Sequence, residues 1–182
     1  IIDRRHAPKV AEARAGEIAT MTVRVDRHVK PANPRLPYKV YASDDTGTLA
    51  LVFFHAHADY LRKSLPEGET RVVSGKVETF GREIQMTHPD HIGTPDELDR
   101  LQTVEPVYPL TAGLTLKVLA KAMAAALDMA PDMPREWIDP PLARQRRWRP
   151  WRDALLAVHR PDGPAALEPT APERTRLAYD EL

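Results

Sequence analysis

Residues 49–60 read LALVFFHAHADY, a run of strand-forming apolar residues that ends in two adjacent phenylalanines and then becomes polar. Neighbouring side chains on a β-strand point to opposite faces of the sheet. A sheet that is packed on one side can therefore bury only one of Phe53 and Phe54. Leu49, Leu51 and Phe53 form an alternating apolar set that we assign to the core, and this assignment places Phe54 on the outer face.

The segments on either side of this stretch also have strand patterns, with apolar and polar residues in alternation. Turn-forming Asp, Thr and Gly residues separate the second and third segments, and Gly81 separates the last two, so both pairs are predicted to be hairpins. One short apolar-periodic segment with Leu61 and Leu65 indicates a helix. The predicted strands cover residues 17–25, 38–45, 48–54, 71–80 and 82–89, and the predicted helix covers residues 56–65.

Five strands with a helix between the third and the fourth match the layout of an OB-fold, a five-stranded Greek-key barrel. Beyond residue 93 the chain becomes helical and rich in Pro and Ala. The predicted fold class is therefore mainly β with C-terminal helices. We divide the chain into a lead-in segment (residues 1–16), an OB-fold domain (17–93) and a helical, Pro-rich linker (94–182).

Two features of the linker predict helix packing. An apolar stripe at helical spacing within residues 115–127 is expected to pack either on the next helix or back on the predicted barrel. The segment RQRRWRPWR (144–152) combines arginines with Trp148 and Trp151, which could hold nucleic acid or anchor a turn between helices. We favour the anchoring interpretation. The stripe consists of Leu116, Leu119, Met123 and Leu127.

The composition excludes several classes of protein. Lys and Arg together number 26, as do Asp and Glu, so the formal net charge is zero and any basic site has to be local. The absence of cysteine excludes disulfide scaffolds and thiolate zinc sites, and it fits a cytoplasmic location. No segment has the length or apolarity of a membrane span or a signal peptide. Because the chain lacks an initial Met, we expect a piece of a longer protein.

The outer face of the predicted barrel is a candidate binding surface. OB-folds bind oligonucleotides or oligosaccharides on the second and third strands and the flanking loops. By parity, Phe54 would lie near Lys39 and Tyr41 on the second strand and near Thr22 and Arg24 on the first. An aromatic ring among cations suits unpaired bases. Alternatively, Phe54 packs under the short helix or against the C-terminal helices. The flanking loops add Arg27, Lys30, Arg35 and Arg82.

Other functions remain open from the residues alone. A protein-interaction module would have its barrel face covered by its own helices. Two histidine clusters are spaced like metal ligands, although nothing in the sequence requires them to converge. The chain contains no GxxxxGK[ST] phosphate loop, no GxGxxG fingerprint and no Ser-His-Asp elbow, so we predict that it is non-catalytic by itself. The two clusters are His55, His57 and Asp59, and His88, Asp90 and His91.

The order and spacing of these segments resemble the wedge domain and the following linker of the RecG family of ATP-dependent DNA helicases. The resemblance extends over essentially the whole chain. VFFHAHADYLRKSL resembles the third strand and helix of the wedge, and GREIQMTHPD its last hairpin. The linker signature, Tyr-Pro-Leu-Thr-x-Gly-Leu before a helix, is similar to YPLTAGL at residues 108–114. The segments IIDRRHAPKV, WRDALLAVHRP and RLAYDEL also resemble this family.

The resemblance implies an OB-fold wedge at the branch point of stalled replication forks and Holliday junctions. There it would split the parental duplex while an aromatic residue stacks on an unpaired base. At the matching position this chain has Phe54, with Phe53 as the core partner. The resemblance also implies basic contacts to DNA, which map onto Lys30, Arg35, Lys76 and Arg82.

The implied partners are branched DNA, single-stranded DNA at the branch point and motor domains of the same polypeptide. In the full-length protein these motor domains would use ATP and Mg to regress forks in DNA repair and recombination. The resemblance implies no cofactor for the present chain, no membrane contact and a monomeric state.

Overall fold

The computed structural model describes residues 1–33, 35–54 and 57–181. The chain forms two compact units. Residues 3–103 form the barrel unit, and residues 104–182 with residues 1–2 form the helical unit. The domain limits expected from the sequence, 17–93 and 94–182, stay a prediction.

Strands dominate the first half of the chain and helices the second half. The strands are β1 (Ile2–Asp3), β2 (Ile18–Val29), β3 (Tyr38–Ser43), β4 (Thr48–Phe53), β5 (Thr70–Phe80), β6 (Glu83–Thr87), β7 (His91–Gly93) and β8 (Val104–Glu105). The α-helices are α1 (Ala58–Ser64), α2 (Leu98–Leu101), α3 (Leu116–Asp128), α4 (Pro140–Arg146), α5 (Trp151–His159) and α6 (Pro172–Asp180). Short 3-10 helices occur at Val10–Glu12, Pro95–Glu97 and Pro164–Leu167.

The barrel unit is built on a closed sheet with the strand order β2-β3-β4-β6-β5, in which β5 pairs back onto β2. The neighbouring strands of this barrel are antiparallel, except that β4 and β6 run parallel. Helix α1 connects β4 to β5, and β7 adds to the edge of β5. This arrangement is the OB-fold that the sequence predicted.

The barrel core follows the predicted alternation along the strands. Met21, Val23 and Val25 of β2 are buried, and the side chain of Phe53 at the end of β4 is only 7% exposed. Burying such side chains is worth about 1.5–3 kcal/mol each, which makes this core the main source of stability of the barrel unit. The other large residues of the core are Tyr38, Val40, Leu49, Leu51, Leu61, Leu65, Val73, Val77 and Met86.

Strand β2 differs from the prediction in length and in register. The predicted strand ended at residue 25, whereas β2 continues to Val29. Val25 pairs with Ala42 and Arg27 pairs with Tyr41, so the register shifts between Val25 and Arg27. A β-bulge of this kind places one extra residue on the strand and exchanges the two faces beyond it. The prediction that Arg27 lies in the loop was therefore wrong, because Arg27 is a strand residue on the outer face.

The lead-in segment is fixed to the barrel by polar contacts. The guanidinium of Arg4 is buried and donates hydrogen bonds to Ser74 Oγ at 3.2 Å and to Asp90 Oδ2 at 3.0 Å. The hydroxyl of Thr20 donates to the backbone carbonyl of Arg4 at 2.8 Å. A buried charge is stable only when it is paired and hydrogen-bonded in this way. Residues 3–16 of the lead-in therefore fold as part of the barrel unit.

The helical unit is held by a buried ion pair and by aromatic packing. Arg176 is buried and forms ion pairs with Glu136 and Asp180. The indole N–H of Trp148 donates to Thr175 Oγ1 at 2.9 Å, and its ring lies 5.2 Å from that of Tyr179. This contact joins the end of α4 to α6, which confirms the anchoring interpretation for Trp148.

The predicted apolar stripe of α3 is only partly buried. Leu127 is buried, whereas Leu116, Leu119 and Met123 are half-buried, so the stripe is covered completely only at Leu127. Helical periodicity shows which residues share a face, but it does not show how much of that face is covered. None of the helices within the described ranges is long and apolar enough to cross a membrane.

Candidate nucleic-acid interface

Phe53 and Phe54 lie on opposite sides of the barrel wall, as strand parity predicted. Phe53 is the last residue of β4 and pairs with Tyr38 of β3 inside the core. Phe54 follows directly and its side chain is 44% exposed. Phe54 is thus accessible at the point where β4 ends, and it is not buried under α1.

His88 supports the backbone and the ring of Phe54. The backbone N–H of His88 donates to the carbonyl of Val52 at 2.9 Å, and the N–H of Phe54 donates to His88 Nε2 at 3.1 Å. Since Nε2 accepts a hydrogen bond, the proton of the neutral ring is on Nδ1. The imidazole ring lies 6.0 Å from the rings of both Phe53 and Phe54. His88 therefore extends the pairing of β4 by one residue with its side chain.

The backbone of His88 adopts the left-handed conformation that this contact requires. Its φ angle is 48°, a region that few residues other than Gly adopt, although His is among the more tolerant. Pro89 follows and fixes its own φ angle. The left-handed turn directly follows β6, at the residue whose backbone N–H bonds the carbonyl of Val52 near the end of β4.

Tyr41 is the centre of a cationic cluster on the outer face. The guanidinium carbon of Arg27 lies 4.7 Å from the centroid of the Tyr41 ring, and Lys39 Nζ lies 6.0 Å from it. Lys39 also forms an ion pair with Glu83 at 2.6 Å. The Glu83 carboxylate raises the pKa of Lys39 through this hydrogen bond. Lys39 stays charged, but part of its charge is neutralised by Glu83.

Glu83 is the acidic partner in this ion pair, and its pKa lies below the ordinary value for a glutamate. Burial alone would raise its pKa, but hydrogen bonds from Lys39 and Tyr41 outweigh the burial and lower it. The sequence analysis did not find Glu83, because it lies more than 40 residues from Lys39 in the chain. The positive charge around Tyr41 is therefore smaller than the sequence predicted, because Glu83 neutralises part of it.

Two residues with outward parity on β4 are buried instead of exposed. Ala50 pairs with Tyr41 and Gln85, and Val52 pairs with Lys39 and Thr87. Because β4 is a central strand, larger side chains from both neighbouring strands cover its small ones. The floor of the outer face is thus apolar, and its rim is aromatic and charged.

The predicted position of Arg24 beside Phe54 was wrong. Arg24 pairs with Ser43, which pairs with Thr48, six residues before Phe54 on β4. At roughly 3.3 Å per residue this distance is about 20 Å along the strand. Thr22 is also remote from Phe54, because it pairs with Val72 of β5. The strand β2 approaches the Phe54 end of the barrel with its last residues, since Val29 pairs with Lys39.

The predicted cations lie at separate places around the barrel. Lys30 is exposed just after β2, at an open cleft that Tyr38 and Arg62 also line. Arg35 is exposed in the loop before β3, and its backbone N–H donates to Asn33 Oδ1 at 2.9 Å. Lys76 is exposed on β5, where it pairs with Ile18. Arg82 is exposed in the two-residue turn between β5 and β6.

Two exposed aromatic residues were missed by the sequence analysis. Tyr60 of α1 is 64% exposed, and Phe80 at the end of β5 is 71% exposed. The positions of both residues within the predicted elements could have indicated their exposure. Tyr60 belongs to the short predicted helix, next to Leu61, and Phe80 directly precedes the glycine of the predicted hairpin turn.

The histidine clusters do not form a metal centre within the described ranges, where no group of three or more His, Asp or Glu residues could hold a metal ion. His55 lies outside the described residues. His88, which the metal alternative used, is engaged with Phe54 instead.

Comparison with known proteins places these features in a family. The protein-family model of the RecG wedge domain matches residues 2–129. The chain belongs to the RecG wedge domain family. The wedge domain match includes the whole barrel unit and helix α3.

Curated relatives of this RecG wedge domain are helicases of greater length. The ATP-dependent DNA helicase RecG of Escherichia coli O127:H6 (strain E2348/69 / EPEC) is 29% identical over 190 residues, which cover 99% of this chain and 27% of that protein. The RecG of Aquifex aeolicus (strain VF5) is 28% identical over 106 residues, which cover 58% of this chain and 13% of that protein. The chain thus spans about a quarter of the length of the first of these relatives.

A solved structure has the same fold as this RecG wedge domain. The structure described as "Structure of RecG bound to three-way DNA junction" superposes with a TM-score of 0.77 and 24% sequence identity. It covers 98% of this chain, which corresponds to 24% of that RecG chain. Nearly the whole chain therefore has a fold that also occurs in that RecG structure.

Proposed function

We propose that this chain is the DNA-binding wedge of a RecG-type ATP-dependent DNA helicase, and that it recognises branched DNA such as stalled forks and Holliday junctions. The observation that carries the proposal is the exposed ring of Phe54 at the end of β4, supported from behind by His88. An aromatic surface of this kind binds an unpaired base by stacking, which is worth about 1–3 kcal/mol per base.

The physical step that the wedge performs is the separation of two strands at a branch point. A base at the branch point loses its stacking on the adjacent base when the strands separate. A rigid aromatic ring on which it can stack instead stabilises the unpaired state. The fixed backbone of Phe54 matters here, because a ring that is already held in place loses little conformational entropy on binding. Cations around the face, above all Arg27 and Arg82, would hold the phosphates of the separated strands.

ATP and Mg belong to the motor domains of the same polypeptide in this proposal. The residues of this chain do not fit a nucleoside triphosphate, since the sequence has no GxxxxGK[ST] loop. In the full-length protein, the motor would supply directed movement and the wedge would supply strand separation during fork regression. A cytoplasmic location and a monomeric state are part of the same proposal.

A titration with four DNA probes tests the proposed function. Fluorescently labelled fork, three-way junction, blunt duplex and single strand of equal total charge would be titrated with the purified chain. We expect the fork and the junction to bind more tightly than the duplex, and we expect no ATP hydrolysis. Equal affinity for the fork and the duplex would contradict the proposal, because electrostatic binding alone does not distinguish them.

The alternative of a histidine metal site would give a different result. Metal content measured on the purified chain after dialysis, and melting temperatures with and without added Zn²⁺, would show a bound ion directly. We expect neither stoichiometric metal nor a shift of the melting temperature.

A further inference from the structure

Phe80 is an exposed aromatic residue that the proposed stacking at Phe54 does not use. It is the last residue of β5, and its side chain is 71% exposed, more than that of Phe54. A single exposed apolar residue is common on protein surfaces and needs no special explanation. The position of Phe80 relative to the cationic cluster distinguishes it from such a residue.

The register of the last hairpin places Phe80 on the outer face of the barrel. Val77 pairs with Met86, and both are in the core. Since side chains alternate, Phe80 has the opposite orientation to Val77, and it pairs with Glu83. Gly81 and Arg82 alone connect the two strands, and the φ angle of Gly81 is 63°, which suits a tight two-residue hairpin turn.

Glu83 connects the position of Phe80 to the cationic cluster. The carboxylate of Glu83 binds Lys39 at 2.6 Å, and the ring of Tyr41 lies 6.0 Å from Lys39 Nζ. The tip of the hairpin is thus in contact with β3, the second strand of the barrel. In OB-folds this strand and the loop between the last two strands form the ligand-binding surface.

Phe54 and Phe80 lie at opposite ends of this surface. Glu83, the partner of Phe80, is adjacent to Ile84, which pairs with Leu49 at the start of β4, whereas Phe54 follows the end of β4. The length of β4 makes this separation about 20 Å at roughly 3.3 Å per residue. A strand that contacts both rings therefore has to be unpaired over several nucleotides, within the range of roughly 4–16 nucleotides that one OB-fold covers.

The charges on this surface are compatible with a bound single strand, but they restrict the direction in which its phosphates can point. Arg27 and Arg82 are cations of this surface, and Glu83 is already paired with Lys39. Glu78 opposes phosphate, because Thr87 and Gln85 donate hydrogen bonds to its carboxylate and keep it ionised. The bases of the strand would face the aromatic residues and its phosphates would be directed away from Glu78.

We propose that Phe80 is a second base-stacking site, and that one unpaired arm of the branched DNA runs across the outer face from Phe54, past Tyr41, to Phe80. This inference rests on the proposed function and extends it from one stacked base to a single-strand track. It also explains why the exposed phenylalanine lies at the tip of the hairpin next to Arg82, where an adjacent phosphate can be bound.

The test uses forks whose unpaired arm is either about 3 or about 12 nucleotides long, a range that spans the shortest site size of an OB-fold. We expect Phe80→Ala to weaken binding of the long-armed fork at least about fivefold, the lower end for one stacked base, and to leave the short-armed fork unchanged. Phe54→Ala should weaken both. Met129→Ala, which removes an exposed apolar side chain from the helical unit, is the control and should change neither.

Two further variants separate base stacking from other roles of Phe80. Phe80→Tyr keeps the aromatic ring and should bind the long-armed fork like the unmodified chain, whereas Phe80→Leu should bind like Phe80→Ala. The fluorescent base 2-aminopurine, placed at successive positions of the arm, should be quenched where it stacks on a ring. In Phe80→Ala, and not in Phe54→Ala, this quenching should decrease at one position far from the branch point. The single-strand track would be refuted if Phe80→Ala bound the long-armed fork as tightly as the unmodified chain does while Phe54→Ala still bound it more weakly. That result would leave the proposed function intact. If Phe54→Ala is also unimpaired, both fail.

Discussion

Phe53 and Phe54 are expected to respond in opposite ways to replacement by Ala. Phe53 is 7% exposed and is part of the barrel core, so Phe53→Ala removes a buried ring and leaves a cavity. Replacements of this kind lower the free energy of unfolding by about 3–5 kcal/mol. A small domain has only about 5–15 kcal/mol in total, so this variant should be close to unfolding at moderate temperature.

The loss of stability for Phe54→Ala is smaller and can be worked out from its exposure. Complete burial of a Phe side chain is worth about 1.5–3 kcal/mol, and Phe54 keeps 44% of its surface exposed. The contact of its ring with His88 adds roughly 0.5–1 kcal/mol. We therefore expect the free energy of unfolding to fall by about 1–3 kcal/mol, which leaves the domain folded. The affinity for forks should fall by roughly 1–3 kcal/mol, the value of one stacked base.

Urea unfolding followed by circular dichroism gives the stabilities, and fluorescence anisotropy with forks and blunt duplex gives the affinities. The duplex offers no unpaired base, so Phe54→Ala should affect it less than the fork. The assignment of the two rings is refuted if Phe54→Ala unfolds the barrel while Phe53→Ala retains it. A stable Phe54→Ala chain with undiminished fork affinity would refute the stacking role alone.

Three further results are expected. His88→Ala should weaken fork binding, and in combination with Phe54→Ala it should add little, because His88 acts through Phe54; additive losses in this double-mutant cycle would contradict that role. Arg27→Gln should reduce the slope of log affinity against log salt by about 0.7–0.9 if Arg27 binds one phosphate, and an unchanged slope would exclude the contact. Burial would raise the pKa of Asp44, but hydrogen bonds from Thr46 and the Val10 N–H outweigh the burial and lower the pKa to about 2. The ionised carboxylate therefore contributes fully to stability above about pH 4, and this contribution is lost as the pH falls towards 2. In Asp44→Asn, the free energy of unfolding should depend less on pH within this window.

The sequence allowed the barrel and the separation of the two phenylalanines to be predicted, because both depend on local alternation. The order of strands around the helix was sufficient for the OB-fold. Parity along β4 was sufficient for Phe53 and Phe54, since no irregularity interrupts that strand before Phe53. The bulge in β2 could not be predicted from the sequence. Asp26, Arg27 and His28 are all polar, so the alternation of apolar and polar residues gives no sign of the register shift there. The outer-face position of Arg27 was missed for this reason.

Contacts between distant segments were the other source of error. The imidazole of His88 beside Phe54, and the carboxylate of Glu83 on Lys39, both join residues that are more than 30 positions apart. Their partners depend on which strands lie side by side in the barrel. The parallel pairing of β4 with β6 is part of the predicted OB-fold, but the sequence did not show the register of the two strands, on which these side-chain contacts depend.

The charges on the outer face explain how a chain without net charge could select branched DNA. A strongly basic surface binds any duplex, because the release of counterions is independent of structure and sequence. Here Lys39 is paired with Glu83, Glu78 stays ionised, and the positive and negative residues of the chain are equal in number. If the chain binds DNA as proposed, electrostatic attraction to plain duplex would be weak, and the aromatic rings would contribute a larger share of the affinity. Since only unpaired bases can stack on those rings, a weakly charged face would make the proposed preference for branched DNA stronger.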